Sequence, residues 1–139
     1  MGDIKVLTVK NTNRDTQLLN FDKNIQYENI VPVKFKYFLS PEIVINTWSD
    51  LVVYTAKFLF NDCPRKMRNL AGRRIETLRS ILIGNSDVSS IMNKPIQFTR
   101  ALFIETDLTV EQIIKSVKYL MDECGMDYQR IKVYYSCIR

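Results

Sequence analysis

The chain has 139 residues, of which 46% are apolar and 25% charged, with a net charge of +5 and no histidine. This size and composition predict one globular domain and exclude wholesale disorder or a fibrous chain. Without histidine, the chain cannot form Ser-His-Asp or Cys-His catalytic groups, or histidine-ligated metal sites. Its four glycines stand well apart and form no phosphate-binding loop motif. The sequence therefore predicts no cofactor and a binding module rather than a conventional enzyme.

Segments that would direct the protein to a membrane or out of the cell are not found. No apolar run approaches the roughly 18 to 20 residues of a membrane span, and the start MGDIKVLTV lacks the features of a signal peptide. Val6 stands where myristoylation needs Ser or Thr. The three cysteines, Cys63, Cys124 and Cys137, form no Cys-x-x-Cys pair and are expected to be reduced thiols in or near the core. We therefore expect a cytoplasmic protein.

The first 30 residues are predicted to hold a strand followed by a long loop. Ile4–Val9 alternates weakly, as a strand does, and Lys10–Asn29 is rich in Asn, Asp and Gln. Residues 31–139 form the compact core of the expected single domain, 1–139. In that core, Val31, Val33, Phe35 and Tyr37 lie on one face of a predicted strand, and Pro32, Lys34, Lys36 and Phe38 lie on the other. Ser40-Pro41 marks a turn. Pro32–Asn46 is thus predicted to be a β-hairpin.

Two helices are predicted in the middle of the chain. Thr47 and Asp50 have the spacing of a capping box, and the apolar face that follows ends at Cys63-Pro64. That face comprises Trp48, Leu51, Val52, Thr55, Ala56 and Leu59. A second helix is expected over Arg73–Ile83, with Ile75, Leu78, Ile81 and Leu82 towards the core. Ser86–Asn93 is expected to be a polar connection or a short helical turn.

The last third has the clearest pattern, a strand ALFIE, a helix from Val110 to Cys124 and a strand IKVYY. Thr109 and Gln112 form a second capping box, and Gly125 suits a left-handed residue after the helix. Two strands joined by a helix favour a parallel βαβ unit. The prediction is an α+β fold, with one small mixed sheet made of the hairpin and the βαβ unit, and two to three helices packed on it.

The positive charge of the chain is concentrated in one segment, Lys57–Ile83, which we call the basic segment. It carries seven basic and two acidic side chains, and the rest of the chain has thirteen of each. The six residues predicted to bind a partner are Arg65, Lys66, Arg68, Arg73, Arg74 and Arg79. Arginine forks suit phosphate and carboxylate groups, so a polyanion or an acidic protein surface is the expected partner. The alternative is a basic face that is simply solvated.

Aromatic rings in the strands could add stacking contacts to such a surface. Tyr37, Tyr134 and Tyr135 are the candidates for stacking on nucleobases, although most aromatic residues in strands belong to the core. The sequence favours no metal site: Glu105 and Asp107 follow a strand, as in magnesium nucleases, but a third carboxylate and a lysine at suitable spacing are not found.

Cys124 and Arg130 have the spacing of a cysteine phosphatase loop. However, the predicted position of the cysteine at a helix C-terminus disfavours a thiolate, and the intervening GMDYQ supplies no glycine-rich cradle. A phosphatase is therefore not predicted.

The run ALFIETDLTVEQIIKSVKYLMDECGMDYQRIKVYY resembles a small module of restriction-linked and phage or mobile-element proteins of low-GC bacteria, and INTWSDLVVYTAKFLF resembles its first helix. The resemblance rests on hydrophobic spacing, Trp48, the Glu105-Thr106-Asp107 run and Gly125, and it implies an accessory role beside nucleic-acid machinery. In length and basic character the chain is also similar in type to small phage counter-defence proteins such as anti-CRISPRs.

The leading hypothesis is therefore a non-enzymatic phage or mobile-element protein whose basic segment engages nucleic acid, or a complex that handles it, and which inhibits a CRISPR-type or other defence nuclease. One alternative is a structural or homo-oligomerisation module without nucleic-acid contact. The other is a divergent metal-dependent nuclease acting through Glu105 and Asp107.

Overall fold

The computed structural model describes residues 16–23, 25–76, 78 and 80–138. Within them the helices are α1 (Trp48–Asp62), α2 (Pro64–Asn69) and α3 (Val110–Glu123), with short 3₁₀ turns at Ser89–Ile91 and Tyr128–Arg130. The strands are β1 (Thr16–Leu18), β2 (Ile30–Tyr37), β3 (Ile43–Val44), β4 (Arg74–Ile75), β5 (Ser80–Ile81), β6 (Ile83–Asn85), β7 (Pro95–Thr99), β8 (Leu102–Glu105) and β9 (Ile131–Cys137). The strand predicted at Ile4–Val9 lies outside the described residues.

The strands form three antiparallel sheets, so the α+β class is confirmed. The large sheet has the order β1-β9-β2-β3, a smaller sheet has the order β6-β8-β7, and β4 pairs with β5. The predicted hairpin is confirmed, because Lys34 pairs with Val44 and Phe35 with Ile43. A bulge between Pro32 and Lys34 changes which side chains face the core: Val31 is exposed although Phe35 and Tyr37 are buried as expected.

The prediction of one mixed sheet with a parallel βαβ unit is wrong. The two strands that α3 joins lie in different sheets, β8 beside β6 and β7 and β9 between β1 and β2. A short turn after Thr99 lets β7 and β8 pair antiparallel, and β9 pairs along β2 from Ile131 to Cys137. Since both strands are already paired on their two sides, the helix between them only carries the chain from one sheet to the other.

The first helix begins where its sequence predicts. The Thr47 hydroxyl accepts the N–H of Asp50, and the Asp50 carboxylate accepts the N–H of Thr47, so the capping box is complete. The six side chains predicted for the inner face are the buried ones. The helix ends at Asp62, but Pro64 then occupies the first turn of α2, where its missing N–H costs nothing. The core surrounds α1, which contacts α3, β2, β7 and β8.

The helix predicted over Arg73–Ile83 is wrong, because this segment contains β4, β5 and the start of β6. Gly72 has a φ of +81° and its N–H donates to the Ile83 carbonyl at 2.7 Å, which turns the chain back on itself. Ile75, Leu78 and Leu82 are buried all the same, and Ile81 is half-buried. Apolar spacing thus predicted the burial of these side chains correctly, whereas the glycine turn decided the backbone.

The third helix confirms its predicted boundaries to within one residue. Thr109 and Gln112 form the capping box, and Gly125 follows the helix with a φ of +70°. The 3₁₀ turn Ser89–Ile91 confirms the short helical turn expected between Ser86 and Asn93. None of the helices in the described part of the chain combines the length and apolar character needed to cross a membrane.

The segment predicted as a long loop or arm, Lys10–Asn29, is in its described part bound to the rest of the domain. Strand β1 pairs with β9, and the Asp22 carboxylate accepts the Tyr128 hydroxyl at 2.5 Å and the Gln129 amide at 2.9 Å. These hydrogen bonds raise the pKa of Tyr128 to about 12 and lower that of Asp22. The prediction of a loop therefore fails where β1 completes the edge of the large sheet.

Candidate nucleic-acid interface

The basic side chains are presented by α2 and by the turn that follows it. Arg65, Lys66 and Arg68 lie on the exposed side of α2, around the buried Met67 that anchors the helix to the core. Arg73 and Arg74 follow Gly72 and are also exposed. Arg79 lies outside the described residues. The short helix and the glycine turn together bring five of the six predicted residues to the surface.

Two of these cations are engaged by the C-terminal end of α3. The Lys66 ammonium lies 3.5 Å from the Cys124 carbonyl oxygen, and the Arg73 guanidinium is 3.3 Å from the Glu123 carboxylate. Cations are favourable at this end of a helix because the backbone carbonyls there make it negative. Lys66 and Arg73 therefore have a structural role as well as a surface position, and α2 is fixed against α3.

The other cations point to different places on the surface, so the predicted residues do not form one continuous patch. Arg65 and Arg68 line an open depression beside the junction of α1 and α2, together with Asp62 and Lys66. Arg74 lines a small separate cavity with Glu105. Among the described residues, no carboxylate lies within ion-pair distance of Arg65, Arg68 or Arg74. These three guanidiniums are the ones left to meet an external anion.

Arg68 also borders a second cavity, which holds an arginine that the sequence analysis missed. The volume of this cavity is about 360 Å³, and Arg100, at the turn between β7 and β8, is among the residues that line it. We call it the Arg68–Arg100 groove. Its wall residues are Phe60, Arg68, Ala71, Asn85, Thr99, Arg100, Ala101 and Leu102. Arg100 was missed because strand β7 was not predicted, and without it no turn could be placed next to the basic segment.

The groove combines two guanidiniums with an apolar floor. The Arg68 guanidinium lies over the Phe60 ring at 5.0 Å, a cation–π distance, and Phe60 in turn meets Phe98 edge-on. Leu102 is buried beneath. In the part of the chain that the structure describes, Arg100 has no carboxylate partner either. An anionic ligand with a flat apolar part matches both features of this groove.

Two of the three tyrosines predicted to stack on nucleobases are buried, so the prediction is wrong for these two. Tyr37 is buried, stacks on Phe58 at 4.6 Å and donates its hydroxyl to Asp62 at 2.8 Å. Tyr135 is buried too, and its hydroxyl donates to Gln17. Only Tyr134 is half-exposed, on the outer face of the large sheet with the Lys34 ammonium 4.9 Å above its ring. It does not line the groove.

Glu105 has a structural role that accounts for its position at the end of β8. It is 2% exposed, and its carboxylate accepts the backbone N–H groups of Asn93, Lys94, Thr106 and Asp107 at 2.7 to 3.1 Å. Burial raises the pKa of Glu105, but these N–H groups outweigh it and hold the pKa below its ordinary value. Among the described residues, no group of three His, Cys, Asp or Glu is placed to hold a metal ion.

The thiol of Cys124 lacks the environment of a nucleophile. It is buried at the C-terminal end of α3, and burial together with the neighbouring Cys63 thiol raises its pKa to about 12. All three cysteines are free thiols, with Cys63 half-buried. Cys137 is exposed at the end of β9, so the expectation that all three lie in or near the core is wrong for this one.

Comparisons with protein-family models, with curated proteins and with solved structures gave no match. The resemblance to phage and mobile-element modules therefore stays a prediction. The function has to be argued from the surface itself.

Proposed function

We propose that this protein is a non-catalytic module that binds nucleic acid through Arg65, Arg68 and Arg100. The observation that carries the proposal is that Arg68 and Arg100, which form no ion pair among the described residues, line one apolar groove. Arg65 lies on the same helix as Arg68. Guanidiniums bind phosphate oxygens in pairs of hydrogen bonds, and nucleobases stack on apolar and aromatic surfaces. A nucleic-acid strand offers both groups at once.

A solvated basic face is the competing explanation for the charge. It accounts for Arg74, whose side chain points elsewhere, and for Lys66 and Arg73, which stabilise α3. It does not account for Arg100, which comes from another part of the sequence and lines the same groove as Arg68. Among the described residues, neither arginine has an ion pair with a carboxylate. A groove that two guanidiniums line among apolar side chains favours a bound anion.

The resemblance to accessory modules of phages and mobile elements sets the proposed context. In that context the nucleic acid belongs to a complex with a nuclease, and the protein acts by obstruction. Recovery of the tagged protein from its host, with and without nuclease treatment, tests this part. A nuclease-resistant complex with a protein effector would support it, and nucleic acid alone would leave the protein a direct binder and remove the inhibitory role.

The test of binding is a fluorescence anisotropy titration of a labelled oligonucleotide at several salt concentrations. The variant Arg65→Ala/Arg68→Ala/Arg100→Ala removes three phosphate contacts, each of which contributes about 0.7 to the salt slope for a single strand, so we expect the slope to fall by about 2. The matched control, Lys36→Ala/Lys94→Ala/Lys132→Ala, removes the same charge elsewhere and should retain affinity and slope. Equal losses in the two variants would refute the site.

A second candidate function, self-association, is favoured by the outer face of the large sheet. Cross-strand pairs align Val44, Lys34, Tyr134 and Leu18 in one row across all four strands, and Val44 is 76% and Leu18 55% exposed. A row of this kind resembles a contact surface more than scattered apolar residues do. Light scattering after size exclusion tests it. A dimer that Val44→Lys dissociates would support this function, and a monomer at all concentrations would remove it.

A further inference from the structure

The Arg68–Arg100 groove is the size of a site for one small ligand. Its volume of about 360 Å³ lies at the lower end of the range of about 300 to 1,000 Å³ for small-molecule pockets. A paired base in a duplex is covered by its neighbours on both faces and cannot enter such a space. An unpaired nucleotide, whose base can turn away from the strand, can enter it.

The polar atoms in the wall of the groove are mostly hydrogen-bond donors. Arg68 and Arg100 can only donate. The Asn85 side-chain oxygen already accepts the N–H groups of Asp87 and Val88 at 3.0 and 3.2 Å, which leaves its amide N–H₂ to serve a ligand. Thr99 adds a hydroxyl, which can donate or accept. The matching ligand is rich in acceptors and carries negative charge, as phosphate oxygens and base carbonyls do.

The two walls of the groove are held in place by the protein itself. The Arg68 guanidinium lies 5.0 Å from the centre of the Phe60 ring, and this cation–π contact holds the side chain at the groove. The turn that carries Arg100 is fixed by a hydrogen bond from the Gln97 amide to the Arg100 carbonyl at 2.7 Å, next to a bulge in β7. A site whose walls are held in the free protein loses less entropy on binding.

We infer that the groove binds one unpaired nucleotide of a single strand, with its phosphate between Arg68 and Arg100 and its base against Phe60, Ala71 and Leu102. This inference rests on the proposed function and adds to it a preference for single strands over duplexes. Contacts outside the groove, such as that of Arg65, bind backbone phosphates in either form. The preference therefore depends on the space in the groove and not on the charge around it.

The variant Ala101→Leu tests the inference, because it fills the groove from an exposed position of the turn without changing charge. Ser90→Leu is the control, since it adds the same side chain at an exposed position outside the groove. Binding of labelled oligothymidylate and of a duplex of equal length is measured by anisotropy, and circular dichroism melting shows whether each variant folds. We expect Ala101→Leu to weaken single-strand binding about tenfold, with duplex binding unchanged.

The other outcomes separate the two proposals. If Ala101→Leu binds both ligands like the wild type, or weakens both equally, the inference is overturned while the nucleic-acid function stands. If the wild-type protein binds neither ligand, the proposed function fails and the inference with it. The last measurement is competition between thymidine monophosphate and the labelled single strand for the protein. If the mononucleotide displaces the strand at equal concentration, the groove is a site for free nucleotides and the single-strand inference is overturned.

Discussion

A substitution at Glu105 tests whether its carboxylate stabilises the fold through hydrogen bonds or binds a metal ion. Its Oε1 accepts the N–H of Asn93 and its Oε2 accepts those of Lys94, Thr106 and Asp107. The change Glu105→Gln replaces one oxygen with an N–H₂ group, so in either orientation at least one backbone N–H faces another donor. The side chain also loses the charge that strengthens the remaining bonds.

The expected cost follows from these bonds. An orphaned buried donor costs about 1 to 3 kcal/mol, and weakening the remaining charge-assisted bonds adds to this, so we expect a loss of about 3 kcal/mol in the free energy of unfolding. Because folding lowers the pKa of Glu105, its contribution is present above the ordinary value of 4.5 and is lost as the pH falls through the folded-state pKa. The difference in the free energy of unfolding between the wild type and Glu105→Gln should therefore become smaller in acid.

Urea denaturation, followed by the fluorescence of the buried Trp48, measures this cost. Asp107→Asn is the control. The Asp107 side chain is exposed, so the substitution should change the free energy of unfolding by less than about 0.5 kcal/mol. Excess magnesium should leave the urea midpoint of the wild type and of Glu105→Gln unchanged. A loss below about 1 kcal/mol in Glu105→Gln would refute the hydrogen-bond argument. A magnesium-dependent rise in wild-type stability that this variant lacks would show that Glu105 is a metal ligand.

Three further predictions concern two hydrogen bonds and the cysteine thiols. Tyr37→Phe removes the hydrogen bond to Asp62 and should cost about 1 kcal/mol in urea denaturation; an unchanged midpoint would show that this bond contributes nothing. Asp22→Asn should return the pKa of Tyr128 from about 12 towards 10.0, measured by an NMR titration of its ring, because the hydrogen bond to Asp22 is the main cause of the shift; an unaltered titration would contradict that cause. The exposed Cys137 should be alkylated rapidly at neutral pH and Cys124 slowly, because burial raises the Cys124 pKa to about 12; rapid modification of Cys124 in peptide mass analysis would refute its burial.

Helices α1 and α3 were predictable because the signals that start and stop them are local, whereas the short helix α2 was not predicted. Thr47 and Thr109 each begin a capping box, and Pro64 and Gly125 mark the ends. The hydrogen bonds concerned join residues three apart, so no knowledge of the rest of the fold is needed. The inner faces followed from apolar periodicity for the same reason.

The sheets and the groove were not predictable in the same way. The segment after Gly72 has helical apolar spacing, yet its backbone is set by a hydrogen bond to Ile83, whose position depends on β8. Arg68 and Arg100 line one groove because α1, which leads into α2, packs on β7, and this packing has no local sequence signal. Contacts between distant segments decide both features, and neither composition nor periodicity records such contacts.

Ultraviolet crosslinking of the full-length protein to oligothymidylate, followed by mass spectrometry of the crosslinked peptides, tests the central claim most directly. We expect crosslinks at Phe60 and in the peptide that contains Thr99–Leu102, and their loss in Arg68→Ala/Arg100→Ala. Crosslinks confined to Tyr134 on the outer face of the large sheet, or no crosslinks under conditions where a strand is bound, would contradict binding in the Arg68–Arg100 groove.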